Sequence, residues 1–319
     1  MTPRVRGLLY IALSTLCFGF MSLAAKIAVS PSLPGAPPSI GRIADTPVTP
    51  AETLLYRSLL GWLGLLAVSR LIRARGTGEH PPLLILRGVL GGLAVLSFFY
   101  AFAHTDLSKA SLIGYAYPVF AILFARVFFG ERMVPSVCLL MLVALAGVAL
   151  ILWPRNGASA GAFRTFNAGD VAAVFASVFS GAAIATLRRL RRDEATITVV
   201  LHFTFWCTIV SLPALAVSAA AGAPPSVPDL PHAALLGLIA LVAAVGQVFL
   251  TMGYKDCDTA EGGTMSLLNS VFAVAFGVLV LGETLAWTTW VGGAMTLGAC
   301  LFLIAPPGDK SSGRPPGTA

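Results

Sequence analysis

The chain has 319 residues, of which 57% are hydrophobic and only 11% are Asp, Glu, Lys or Arg. An ordinary soluble domain carries about a quarter charged residues, and a soluble fold of this length has too little interior to hide so much apolar surface, so the composition points to lipid as the solvent. The net charge of +7 would suggest nucleic acid in a soluble protein; in a membrane protein it reports sidedness, and no nucleic-acid partner is expected.

In chain order, apolar runs long enough to cross about 30 Å of hydrocarbon as helices occur at 7–27, 52–71, 84–103, 109–129, 135–153, 170–188, 196–217, 232–254, 262–281 and 287–305. Backbone groups in lipid must bond within their own segment, and these runs are too long and too unalternating for barrel strands. The expected fold is an all-α integral membrane protein with ten transmembrane helices. The first run follows Arg4 and Arg6 but exceeds the about 7–15 residues of a signal-peptide core, so it is read as a retained span. The proline-rich stretch after it, about 28–51, is expected to be an extended external loop. The tail 307–319, "PGDKSSGRPPGTA", is expected to be disordered and cytoplasmic.

Sorting Lys and Arg by side gives fifteen on the segments shared with the N-terminus, Arg87 among them, and five on the others, with Arg57 inside a span. This bias predicts cytoplasmic N- and C-termini in a cell's inner or plasma membrane. The run "LRRLRRDE" at 187–194 is the strongest marker of sidedness, with lipid head groups as a second reading. The five cysteines include no Cys-x-x-Cys, so neither a disulfide framework nor a metal site is expected.

Displacing the sequence by 152 positions lays 98–154 on 250–306 without a gap. Nine of the 57 pairs are identical, and six of the nine fall within the thirteen that end at Gly130-Glu131 and Gly282-Glu283. A register of 162 pairs Gly7 with Gly169 and Gly19 with Gly181. The chain is therefore read as two five-helix repeats, 1–154 and 168–306; five is odd, so the second enters the membrane inverted. The repeated Gly-Glu is read as structural. Glycine ends the fourth helix in the left-handed conformation, the carboxylate faces the dipole of the next helix, and Pro135 suits that helix's first turn.

The segments "ETLLYRSLLG", "LRGVLGGLAVLSFFYAFAHTDLSKASLIGYAYPVFAILFARVFFGER", "GQVFLTMGYK", "SLLNSVFAVAFGVLVLGE" and "WVGGAMTLGACLFLIAP", in that order, resemble the EamA-type ten-helix branch of the drug/metabolite transporter superfamily over about 7–305. The resemblance implies an uncoupled or ion-coupled carrier of small metabolites such as amino acids or nucleotide-derived compounds. It implies a central cavity lined by helices 1, 3, 4, 6, 8 and 9, with helix 2 peripheral. Many relatives have a proline in helix 9 where this chain has Ser270, while Pro118 is kept in helix 4; the two halves are therefore expected to bend differently.

Polar groups inside the membrane are candidates for function. Arg57 either pairs with a carboxylate or phosphate of the solute, or serves anion or proton coupling, or it snorkels to the outer interface or pairs with Glu52. His202 is either interfacial or a proton-coupling group. Gly114, Tyr117 and Ala121 share a helical face, and the repeat matches them with Ser266, Asn269 and Ala273. With Phe18, Met21, Phe98, Phe99, Phe102, Gln247 and Thr251 they outline an aromatic-and-amide chamber suited to a moderately polar solute. Helix packing and interhelical hydrogen bonding are the competing readings of these residues. No Asp or Glu lies near the middle of a span, and no phosphate loop, His-Glu-x-x-His or Gly-x-Ser-x-Gly occurs. No catalytic residues, metal or cofactor are expected. The reading is a secondary transporter of a small-molecule solute by alternating access, embedded in membrane lipids, with self-assembly into a homo-oligomer left open. The alternatives are a lipid-handling membrane enzyme or scramblase, against which four scattered histidines argue, and a membrane scaffold.

Overall fold

A computed structural model describes residues 2–29, 48–73, 78–104, 110, 113–132, 134–151, 167–223, 225, 227–281 and 287–304. The linker at 30–47, the Gly282-Glu283 dipeptide and the tail 307–319 lie outside these. The described residues form helices α1 (Pro3–Val29), α2 (Pro50–Leu71), α3 (Pro81–His104), α4 (Tyr117–Phe129), α5 (Pro135–Ile151), α6 (Ala168–Leu190), α7 (Thr196–Ala220), α8 (Leu230–Asp256), α9 (Thr259–Ser266), α10 (Leu268–Leu281) and α11 (Trp287–Ile304). The expected ninth span is the pair α9 and α10, which restores the count of ten. Six helices, α1, α2, α3, α6, α7 and α8, are each long and apolar enough to cross a membrane alone. Their outward faces carry exposed Leu63, Val68, Leu212 and Leu241, which lipid accepts and water would not.

Helix starts are set by local chemistry. Thr49 with Glu52, Asn167 with Asp170, and Asp258 with Glu261 form capping boxes, each satisfying N–H groups that a helix leaves unbonded. Pro50, Pro81 and Pro135 occupy first positions, where a missing N–H costs nothing.

Matching the repeats helix by helix, α1 with α6, α2 with α7, α3 with α8, α4 with α9–α10 and α5 with α11, explains the packing. α1 runs along α8 as α6 runs along α3; α4 rests on α6 as α9 and α10 rest on α1; α7 packs on α3 as α2 packs on α8. The self-matched pairs α2–α7 and α5–α11 mark the axis. There the Thr296 hydroxyl donates to the Ala144 carbonyl at 3.3 Å, and these two positions differ by the repeat register of 152.

The repeat also holds for side chains. A methyl on Gly253 would sit 2.7 Å from the Gly7 carbonyl and 2.4 Å from Ile11. The positions matched to Gly253 and Ile11 are Ala101 and Ala173, both fully buried in one cluster between α3 and α6. Lipid gives no hydrophobic drive for helices to associate, so such small-residue contacts carry the packing.

The fourth and ninth spans are interrupted at matched positions. Tyr115-Ala116 form a turn before α4, and Leu267 separates α9 from α10; Tyr115 and Leu267 are 152 apart. In the first half Pro118 supplies no N–H to the carbonyl of Gly114. In the second, the Ser270 hydroxyl donates to the Leu267 carbonyl at 2.6 Å and its N–H donates to the same oxygen at 3.2 Å. Both halves are thus interrupted at the matched position, by a two-residue turn in the first and a single residue in the second. Serine breaks the ladder by local hydrogen bonding where proline breaks it by lacking a donor.

Gly130 ends α4 at φ +65°, with the Glu131 N–H on the Ala125 carbonyl, as expected of a left-handed cap. Glu131 does not face α5. Its carboxylate accepts the Thr259 N–H at 3.0 Å and the Thr259 hydroxyl, so it caps α9 in the other repeat. The Asp258–Glu261 capping box leaves the Thr259 N–H, and that is the donor Glu131 takes.

Candidate functional site

Where the repeats meet, the helices leave a cavity of about 180 Å³. Of the predicted residues, Phe18, Phe98, Phe102, Tyr117, Gln247, Asn269 and Arg57 line it, together with Met21 and Phe99. The Phe98 and Phe102 rings lie tilted with centroids 5.8 Å apart. Gly114 is the seat of that pair rather than a wall, since a methyl there would come within 2.2 Å of the Phe98 ring.

Besides Gly114, four predicted residues are not brought in, of which Ala121 is fully buried away from the cavity. Thr251 is buried, and its carbonyl accepts from Arg191 Nε at 2.9 Å. The Ser266 hydroxyl turns back to the Gly262 carbonyl at 2.8 Å. His202 lines a separate surface pocket with Trp62, Leu66 and Phe205, its Nδ1 2.9 Å from the Thr198 carbonyl; α7 presents Phe203 to the central cavity instead.

The sequence reading missed Arg87, Tyr115, Ser22 and Ser180, all of which line the cavity. Arg87 was counted with the charges of one membrane face, and the structure corrects that: it lies about one and a half turns inside α3 and is 3% exposed. Its guanidinium stands 4.3 Å over the Phe203 ring. It folds along its own helix over Gly91, where a methyl would lie 2.6 Å from Arg87 Nη1. An arginine followed four residues later by glycine inside an apolar run was the available signal. Tyr115 was hidden by the assumption of a continuous helix, which puts positions two apart on opposing sides; the turn at 115–116 brings Tyr115 and Tyr117 to one cavity.

Arg57 is turned inward and 4% exposed. Glu52, its sequence-level alternative partner, accepts from the Thr49 N–H at 2.9 Å and the Thr49 hydroxyl at 2.7 Å. No described carboxylate lies within ion-pair distance of Arg57 or Arg87. The Nε of each, Gln247 Oε1 and Asn269 Oδ1 are buried without a hydrogen-bond partner, while Asn269 Nδ2 donates to the Tyr115 hydroxyl at 3.1 Å.

At the face that carries the start of α1, ion pairs and hydrogen bonds tie the helix ends together. Arg188 donates to the carbonyls of Tyr254 (3.0 Å) and Lys255 (2.9 Å) and to Asp258 (3.1 Å), and lies 3.8 Å from Glu131. Arg4 bonds Glu261 at 2.6 Å and Arg6 bonds Asp256 at 2.8 Å. Burial pushes the Cys257 thiol among them up to about 12. Two arginines of the basic run at 187–194 hold α6 to the end of α8. Among the described residues no three His, Cys, Asp or Glu side chains gather as a metal site.

The EamA-like transporter family matches residues 5–153 and again 167–305. The chain is 28% identical over 260 residues to the pseudopaline exporter CntI of Pseudomonas aeruginosa, covering 82% of this chain and 88% of the exporter. It is 27% identical over 215 residues to human solute carrier family 35 member G1, covering 66% of this chain and 59% of that one. A solved crystal structure of another protein superposes with a TM-score of 0.70 over 93% of this chain and 96% of its own, at 21% identity, which is a likeness of fold.

Proposed function

The chain belongs to the EamA-like transporter family, and from that premise we propose that this multi-pass membrane transporter moves a small organic metabolite of the amino-acid- or nucleotide-derived kind by alternating access. The observation that carries the reading is the position of the cavity. It lies between helices of both repeats, and ion pairs join α6, the α4 end and α1 to the α8–α9 corner. In this reading those pairs shut one face, and that face, with Arg4 and Arg188, is cytoplasmic. Phe18, Phe98, Phe102, Tyr117, Gln247, Asn269 and Arg57 contact the solute. The apolar wall encloses it and the few polar groups orient it. The first-reported relative is named as an exporter, which supports outward movement.

The test is counterflow with the full chain reconstituted in liposomes, using a panel of labelled metabolites. Exchange of at least one solute is expected, and Asn269→Ala should lower it about tenfold without lowering the yield of folded protein. Exchange of nothing across the panel, or transfer of lipid between leaflets in its place, removes the carrier reading.

A further inference from the structure

Arg57 and Arg87 approach one cavity from two helices, each more than nine-tenths buried, each with its Nε unpartnered and no described carboxylate in reach. Guanidinium does not give up its proton in proteins. The solute-free cavity therefore holds two positive charges largely stripped of water. A charge removed from water needs an opposite charge and hydrogen bonds to sit comfortably, and the Phe203 ring beneath Arg87 meets only part of that need. Arg188 also leaves its Nε without a hydrogen bond, but its other nitrogens have two carbonyls and Asp258, Glu131 stands 3.8 Å away, and Glu261 has Arg4. At the cavity the two arginines have no described carboxylate at all.

The rest of the lining narrows the chemistry. Gln247 Oε1 and Asn269 Oδ1 are buried acceptors without donors, so a complementary solute brings an N–H or O–H. Phe18, Phe98, Phe99 and Phe102 want an apolar segment. We infer that the transported solute is an organic anion with one or two carboxylates held by Arg57 and Arg87, a hydroxyl or N–H donor for Gln247 or Asn269, and an apolar body against the phenylalanines. Carboxylate is favoured over phosphate because the cavity has more aromatic wall than polar donors, and a guanidinium fork matches two planar oxygens. The inference rests on the carrier reading of the same cavity, and one experiment separates the two.

The probe is 3-phenyllactate, which has all three features. Its controls are 3-phenyllactamide (no charge), 3-phenylpropionate (no hydroxyl) and inorganic phosphate. Binding is read from the thermal unfolding of the purified full chain, and movement from counterflow in liposomes. The acid is expected to stabilise the protein at concentrations at least about tenfold below those the amide needs, with phenylpropionate between them. Arg57→Gln and Arg87→Gln should each abolish the preference for acid over amide, and Arg87→Lys should retain part of it, keeping the charge and losing the fork. The wild-type comparison needs no variant, so a variant that fails to fold does not decide the matter. An amide that binds as well as the acid, an acid that does not bind, a preference that survives both glutamine variants, or a response to phosphate alone each overturns the anion assignment. Acid-selective binding without exchange in counterflow overturns the carrier reading and leaves the anion site standing; equal exchange of acid and amide does the reverse.

Discussion

Arg188 and Arg57 are the same residue type in one bundle of helices, and their surroundings are opposite. Arg188, at the face carrying the N-terminus, meets two backbone carbonyls, Asp258 and Glu131. Arg57, in the middle, meets the cavity. Both charges are taken out of water, but only one is compensated within the chain. A compensated charge belongs to the architecture of the closed face, whereas an uncompensated one is a standing strain that a protein keeps where function requires it. The two regions should therefore respond with opposite signs to loss of charge.

The largest effect is expected at the closed face. Arg188→Gln leaves the partly buried Glu131 with Thr259 alone and frees the α8 carbonyls. Discounting for the half-exposed Asp258, the loss is about 2–3 kcal/mol, seen as a lower unfolding temperature of the solubilised protein. A cysteine placed at Ser180, on the cavity wall, should also become more reactive to a thiol reagent applied from the Arg188 side. An unchanged unfolding temperature together with unchanged labelling would mean that the network does not hold that face.

The second effect is smaller and of the other sign. Arg57→Met removes an uncompensated charge while keeping an unbranched apolar side chain, so the solute-free protein should be unchanged or more stable by about 1–2 kcal/mol, while transport is lost. Clear destabilisation in the absence of solute would show that Arg57 is a structural residue like Arg188, and the contrast between the two regions would collapse.

How far the sequence announces this contrast depends on the range of the interaction. Span lengths, the 152 register and the left-handed Gly130 are local or periodic properties and could be read directly. Most of the chamber could be read as well, because Phe98, Phe102, Gln247 and Asn269 are polar or aromatic exceptions on apolar helices. What could not be read depends on distance. Glu131 finds its partner 128 residues away, across the two-fold axis, where no local rule about the next helix reaches. Arg87 was obscured because an arginine near the end of a span looks like a marker of sidedness until the fold shows which way it points. The break at Leu267 was obscured because serine, unlike proline, interrupts a helix only when its hydroxyl turns to the backbone.

The smallest expected effect is the control on which the contrast depends. Arg189 is next to Arg188 in sequence and also bonds a carboxylate, Asp193, but each of their side chains is about a third exposed. The hydrogen bond from Arg189, with His80 nearby, holds the Asp193 carboxyl below the usual carboxylate range. A depressed carboxylate contributes stability above its unfolded value, near pH 4, and loses it as pH falls through the folded value. Any effect of Arg189→Gln should therefore be present at neutral pH and absent in acid. Solvent screens such a pair, and its ends remain hydrated when it is broken, so the unfolding temperature at pH 7 should stay within error of the parent. If Arg189→Gln instead cost as much as Arg188→Gln, total positive charge on that face, rather than the burial and partners of one guanidinium, would be what keeps it closed.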